Sequence, residues 1–203
     1  MTIQTNQYSP QNVGKRLFIA SWPDPLVLEK LEDFQSALKK AAHFTSVAAK
    51  WIPIEKIHLT YHFLGECSPT LEANIRGVLQ EIPEKSPISA SIRGTGCFPH
   101  SKAPTVLWTA VQNHEKKLVH LHTTLKQNLL KLGCSLPDHH FTPHLTLARF
   151  PSLRGTGAFL SVLKSYQGKL VTNWNIRTIE LVESCLSQEG PTYKRLLSVP
   201  LYS

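Results

Sequence analysis

Two hydrophobic spacings alternate along this chain, and the order in which they alternate is used twice. Residues 16–21 (RLFIAS) are an apolar run of strand length. Pro23, Asp24 and Pro25 then introduce a stretch in which Leu28, Leu31, Phe34 and Leu38 recur at three- and four-residue steps, the spacing of a helix buried along one stripe. Residues 57–64 favour an extended strand closed by Gly65, and Ser68-Pro69 reads as an N-cap with proline at the first helical position of a segment reaching Leu79. Two extended runs, 88–98 and 105–111, suit an antiparallel pair. The second half repeats the rhythm: Leu118, Leu121, Leu125, Leu129 and Leu132 mark an amphipathic helix ended by Gly133, residues 141–150 a strand, 159–166 a short helix, and 174–182 and 193–201 two more strands. Strands and helices mixed in this order, with neighbouring strand pairs, predict an α+β fold with antiparallel sheets and not a doubly wound parallel sheet.

A chain of 203 residues, 41% apolar, is the size of one domain or of two small lobes sharing a core. The net charge of +8 is unevenly placed. Residues 1–100 hold 10 Lys and Arg against 9 Asp and Glu, whereas residues 101–203 hold 12 against 5. The surplus in the second half favours an anionic partner such as a nucleic acid or nucleotide. Cys67, Cys97, Cys134 and Cys185 form no CxxC pair, which argues against a zinc ribbon or a disulfide framework and for reduced thiols in a cytoplasmic protein. Residues 1–15 are polar, and no stretch approaches the roughly 18 apolar residues of a membrane span, so neither secretion nor membrane insertion is expected. A monomer is the expected state.

His-x-Thr occurs five times, beginning at His43, His58, His122, His140 and His144, where composition alone would give roughly one. The bare triplet is therefore a weak signal. Requiring apolar or aromatic residues at its second and fourth positions, as a half-buried strand would, leaves His58-Leu59-Thr60-Tyr61 and His144-Leu145-Thr146-Leu147, one in each half. Alternation puts His and Thr on one strand face and the apolar residues on the other. Two such strands supply what in-line attack on phosphorus requires: a base for water on one side, an acid for the departing oxygen on the other, and donors for the remaining oxygens. Imidazole suits both proton roles because its unperturbed pKa is about 6.5.

With these tetrapeptides the chain resembles the two-histidine phosphoesterase superfamily, and within it the RNA 2',3'-cyclic phosphodiesterases, also known as 2'-5' RNA ligases. The resemblance extends to Arg16-Leu17-Phe18-Ile19-Ala20, Trp51, Phe63-Leu64-Gly65, Val106-Leu107-Trp108, Pro143 through Arg149, Leu181-Val182-Glu183-Ser184 and Tyr193. It implies a bilobal pseudo-twofold fold, two antiparallel sheets facing each other across a central cleft with helices outside, built as one domain over 1–203 from two intertwined lobes with one motif each (58–61 and 144–147). It also implies roles: His58 protonates the departing 3' oxygen, His144 activates water, Thr60 and Thr146 hold nonbridging oxygens, and Arg149 neutralises phosphate charge. Phe63 matches an aromatic residue that stacks on a base, although strict alternation from His58 turns it away. The implied activity is hydrolysis of RNA 2',3'-cyclic phosphate ends to 2'-phosphomonoesters without metal or cofactor, with 2'-5' joining as the reverse of the same chemistry.

Other histidines have plainer readings. His62 falls on the face of Thr60 in a regular strand, where it is open to RNA contact or to titration with His58, and its plainer reading is a surface residue at a polar position; His114, His120 and His122 read as a solvated helix face; His139-His140 reads as loop, since no carboxylate or thiol cluster stands near at ligand spacing. Tyr61, where the family has an aliphatic residue, is expected in the core. Three rival functions remain in view: an RNA-binding module with a vestigial site, a metal-dependent phosphodiesterase, and an enzyme for a small cyclic nucleotide.

Overall fold

The computed structural model describes residues 14–83, 86–100, 104–138, 140–151, 156–188 and 190–201. In chain order the elements are β1 (Lys15–Ser21), α1 (Pro25–Phe44), β2 (Lys50–Trp51), β3 (Leu59–Cys67), α2 (Pro69–Gln80), β4 (Ile88–Phe98), β5 (Val106–Gln112), α3 (Lys117–Lys131), β6 (His144–Arg149), α4 (Thr156–Leu163), β7 (Leu170–Ile176), β8 (Thr178–Ser187) and β9 (Gly190–Pro200). Both early helices start as their sequences predict. Asp24 accepts a hydrogen bond from the Val27 amide at 3.0 Å, Ser68 accepts one from Leu71 at 3.2 Å, and a proline follows each cap. Gly133 closes α3 with φ +80°, a conformation open to glycine at little cost.

Every strand pair is antiparallel. Hydrogen bonding links the strands in the order β7-β4-β5-β6-β3-β1-β8-β9, with β2 on β6. At its centre the path narrows to a single registered pair, Leu59 with Leu145 on β3 and β6, so two four-stranded halves meet at the two motifs. The extended run at residues 174–182 is not one strand as its apolar content suggests. β7 ends at Ile176 and pairs with β4, β8 begins at Thr178 and pairs with β1, and Arg177 is the corner at which the chain crosses between the halves. Burial favours both strands equally, so hydrophobicity carries no mark of the break. The polar residues 1–13 lie outside the described residues.

The two faces of this sheet differ. One carries the main core, in which Leu17, Ile19, Leu59, Tyr61, Leu145 and Leu147 meet the helical stripes of α1 (Val27, Leu31, Phe34, Leu38), α2 (Ile75, Leu79) and α3 (Leu118, Leu121, Leu125, Leu129). The other holds a smaller cluster, Phe18, Ala20 and Val182, with Trp22 and Tyr193 packed on it. No helix among the described residues is long and apolar enough to cross a membrane.

Candidate active site

Each motif enters its strand in the same way. A 3-10 turn over Ile54–Lys56 leads to His58, whose Nδ1 lies 2.7 Å from the Lys56 carbonyl; His144 Nδ1 lies 2.7 Å from the Thr142 carbonyl, again two residues upstream. A carbonyl only accepts, so each neutral ring carries its hydrogen on Nδ1 and presents the Nε2 lone pair outward. The register of Leu59 with Leu145 sets His58 level with Thr146 and Thr60 level with His144 across the junction. Each histidine thus faces the other motif's threonine. Both threonines are half-buried, and neither hydroxyl enters a hydrogen bond among the described residues.

The two strands share one irregularity. On β3, Ala20 pairs with Thr60 and Ile19 with His62, leaving Tyr61 without a partner on β1; on β6, Trp108 pairs with Thr146 and Leu107 with Ala148, leaving Leu147 without one on β5. A bulge at the fourth position of each motif makes the fourth and fifth residues both face the core. Tyr61, His62, Leu147 and Ala148 are accordingly buried. The sixth residues, Phe63 and Arg149, return to the face of the histidines, where Phe63 pairs with Phe18 and Arg149 with Val106.

This corrects two sequence expectations. Phe63 does not turn away from His58: its ring stands 6.0 Å from Phe18, which stands 5.2 Å from His58. His62 is no surface residue on the Thr60 face. It is buried on the opposite face, with Nε2 2.9 Å from the His122 carbonyl and its ring stacked on His122, which in turn stacks on Phe141. His122 therefore leaves the solvated face read for it, while His114 and His120 are exposed. His140 lies in an irregular exposed segment, and His139 lies outside the described residues. Among the described residues no group of three His, Cys, Asp or Glu side chains is placed to hold a metal ion.

Aromatic rings from distant segments wall both histidines. Trp22 stacks on His58 at 4.6 Å, Tyr193 meets it edge-on at 5.2 Å, Phe98 meets His144 edge-on at 4.9 Å, and Trp108 stands at 6.0 Å. Trp108 lies over Gly96, its partner on β4. A Cβ at Gly96 would fall within the indole carbons Cζ2 and Cη2. Gly96→Ala is therefore expected to lower stability by about 1–3 kcal/mol and to shift tryptophan emission, measured by thermal melting and fluorescence. An unchanged melt and spectrum would show that the indole relocates freely.

Burial among these rings lowers the His58 pKa from 6.5 to about 4, against the raising effect of its bond to Lys56 and with further lowering by His144. Burial also lowers His144; its bond to Thr142 opposes this, and the Arg149 charge adds to it. Burial raises the phenol of Tyr193, while Arg149 pulls it down. Arg149 thus acts electrostatically on His144 from its own strand and on Tyr193, whose ring meets His58. Trp22, Tyr193, Phe98 and Trp108 were given no role from sequence. Phe18, Trp108 and Tyr193 do fall within the family-like segments, but nothing local marks them as neighbours of a histidine.

A protein-family model for the 2'-5' RNA ligase superfamily matches residues 22–184. The chain is 30% identical over 162 residues to an RNA 2',3'-cyclic phosphodiesterase of Aeropyrum pernix, covering 80% of this chain and 92% of the relative. It is 31% identical over 181 residues to one of Archaeoglobus fulgidus, covering 89% and 97%. Among solved structures, TT0787 of Thermus thermophilus superposes with a TM-score of 0.69 at 27% identity, covering 92% of this chain and 97% of that one. E. coli LigT complexed with 3'-AMP superposes at 0.73 and 20% identity, covering 94% and 99%, a likeness of fold.

Proposed function

Since this chain belongs to the 2'-5' RNA ligase superfamily, we propose that it opens RNA 2',3'-cyclic phosphate ends to 2'-phosphomonoesters by acid–base catalysis at His58 and His144, without a metal or cofactor. The observation that carries this reading is the matched anchoring of the two rings, each held at Nδ1 by the carbonyl two residues upstream and each level with the other motif's threonine. A phosphate between them meets two outward Nε2 atoms, two uncommitted hydroxyls and the Arg149 charge.

In the step proposed, water attacks phosphorus opposite O3' and gives a proton to His144 Nε2. The P–O3' bond breaks, and protonated His58 gives its Nε2 proton to O3', leaving a 2'-phosphate and a 3'-hydroxyl. Thr60 and Thr146 donate to the nonbridging oxygens, and Arg149 offsets the charge that grows on them. Phe63, exposed on the cleft face, offers a stacking surface to a base. Joining of 2'-5' ends uses the same groups, with a 5'-hydroxyl in the place of water. Hydrolysis is favoured because water is always present at about 55 M, while an RNA end must be bound.

The assignment of donor and acceptor follows the family resemblance, and the free-state electrostatics add a condition to it. Burial leaves His58 without a proton near neutral pH, so the donor must gain its proton as the anionic substrate binds. A charged phosphate favours this because it stabilises the imidazolium.

The test is to incubate the purified protein with an oligonucleotide ending in a 2',3'-cyclic phosphate in the presence of EDTA and to locate the phosphate in the product. A 2'-phosphate formed at an unchanged rate is expected. Abolition by EDTA with restoration by a divalent ion would refute metal-free catalysis, and a 3'-phosphate would exchange the leaving oxygen.

A further inference from the structure

Beside His58 the cleft continues into a groove of ≈ 300 Å³ lined by Trp22, Glu55, Lys56, Thr192, Tyr193 and Arg195. The proposed step uses none of these side chains, yet two of them are cations and two are aromatic rings that touch the His58 imidazole. Arg195 is a cation paired at its inner nitrogen only. Its Nε lies 2.9 Å from Oε2 of Glu180, a carboxylate buried on the cleft face of β8, although the N–H does not point along that line. Glu180 pairs by charge with the inner nitrogen, and among the described residues neither terminal nitrogen makes a hydrogen bond. The guanidinium carbon stands 5.0 Å from the Trp22 ring, and the Arg195 side chain remains 56% exposed. Lys56 donates to the Pro191 carbonyl at 3.1 Å, leaving its other two ammonium hydrogens toward the groove or solvent. A guanidinium with both terminal nitrogens open is the group that recognises phosphate oxygens in pairs.

We propose that this groove receives the terminal nucleotide of the RNA on the leaving-oxygen side, with Arg195 and Lys56 holding that nucleotide's own 5'-phosphate. The enzyme then selects a cyclic end carried on an RNA chain over a free nucleoside cyclic phosphate. The inference rests on the reading that His58 faces O3', because that places the nucleoside on the His58 side of the phosphorus. Trp22, stacked at 4.6 Å on His58 and 5.0 Å from the guanidinium carbon, lies against both the histidine and the cation.

The test compares kcat/KM for a nucleoside 2',3'-cyclic phosphate with that for the same compound carrying a 5'-phosphate, and in parallel the Kd of a nucleoside 2'-monophosphate with that of the 2',5'-bisphosphate. The protein should prefer the 5'-phosphorylated member of each pair by about 10- to 100-fold. Arg195→Gln should reduce that preference to a few-fold. The double variant Arg195→Gln/Glu180→Gln, which leaves no unpaired carboxylate in the floor, should do the same if the single variant folds poorly. Lys56→Gln should reduce it in part. A wild-type ratio near one overturns the proposal. So does a ratio preserved in the variants while both substrates fall together, since that is the signature of Arg195 merely propping Trp22. If the protein turns over neither cyclic phosphate, the functional reading fails, and the bisphosphate preference in binding still decides the groove.

Discussion

Replacing His58 or His144 with alanine should lower kcat/KM on a 2',3'-cyclic-phosphate oligonucleotide by about 10²- to 10⁴-fold each, with circular dichroism and melting temperature close to the parent. Both rings are half-buried and hydrogen-bonded only through Nδ1 to a local carbonyl among the described residues, so removing either leaves the strand pairing in place. The double variant should fall by much less than the product of the two losses, because an acid and a base acting on one phosphorus work as a unit. The roles separate with a substrate in which sulfur replaces the 3' oxygen. A thiol has a pKa near 8.5 and departs without a proton, whereas an alcohol, like water near 15.7, does not. The deficit of His58→Ala should therefore shrink on the sulfur substrate while that of His144→Ala persists. Rescue of the His144 variant instead would exchange donor and acceptor, and full activity in both variants would dispose of the two-histidine mechanism.

The pH dependence should be displaced to the acid side. Both imidazoles have pKa values below 6.5 in the free protein, His58 at about 4. A reaction needing one ring protonated and the other neutral reports free-protein values in kcat/KM. Above both values the singly protonated pair becomes scarcer as pH rises, so kcat/KM should decline toward tenfold per pH unit between about pH 7 and 8. The two limbs belong to the pair jointly, since the charge of His144 acts on His58. In the complex the sign of the electrostatic effect reverses. A bound anion stabilises imidazolium and opposes the burial that lowered it, so the alkaline limb of kcat should lie at higher pH than that of kcat/KM. Parallel initial-rate series from about pH 4 to 9 measure both. Coincident limbs would mean that substrate does not charge the pair, and a flat profile with chemistry rate-limiting would remove the acid and base roles.

Much of the fold is written in local spacing. The stripes of α1 and α3 appear as Leu and Phe at three- and four-residue steps; Leu31, Phe34, Leu38, Leu118, Leu121, Leu125 and Leu129 are buried, while Leu28 and Leu132 at their edges are half-buried. The strands β1, β3, β4, β5 and β6 appear as short apolar runs, and the two motifs stand out because a half-buried strand demands apolar second and fourth positions. The break at Arg177 does not appear, because buried apolar residues continue across it, Trp174 and Ile176 at the end of β7 and Ile179, Leu181 and Val182 at the start of β8.

Sequence by itself thus determined the helices, most of the strands, and the two tetrapeptides worth testing, since each depends only on residues near one another in the chain. Tertiary structure alone decided which way the residues after each threonine point. Strict alternation sends Phe63 and Arg149 away from the histidines and His62 toward them, and a bulge at Tyr61 and at Leu147 reverses all three. A bulge is a mismatch between two strands, so it resides in the pairing of β3 with β1 and β6 with β5 and in neither sequence alone. The same holds for the rings that depress the His58 pKa: Phe18, Trp22 and Tyr193 reach it from β1, its exit and β9, and only the assembled sheet brings them within 5.2 Å of one imidazole.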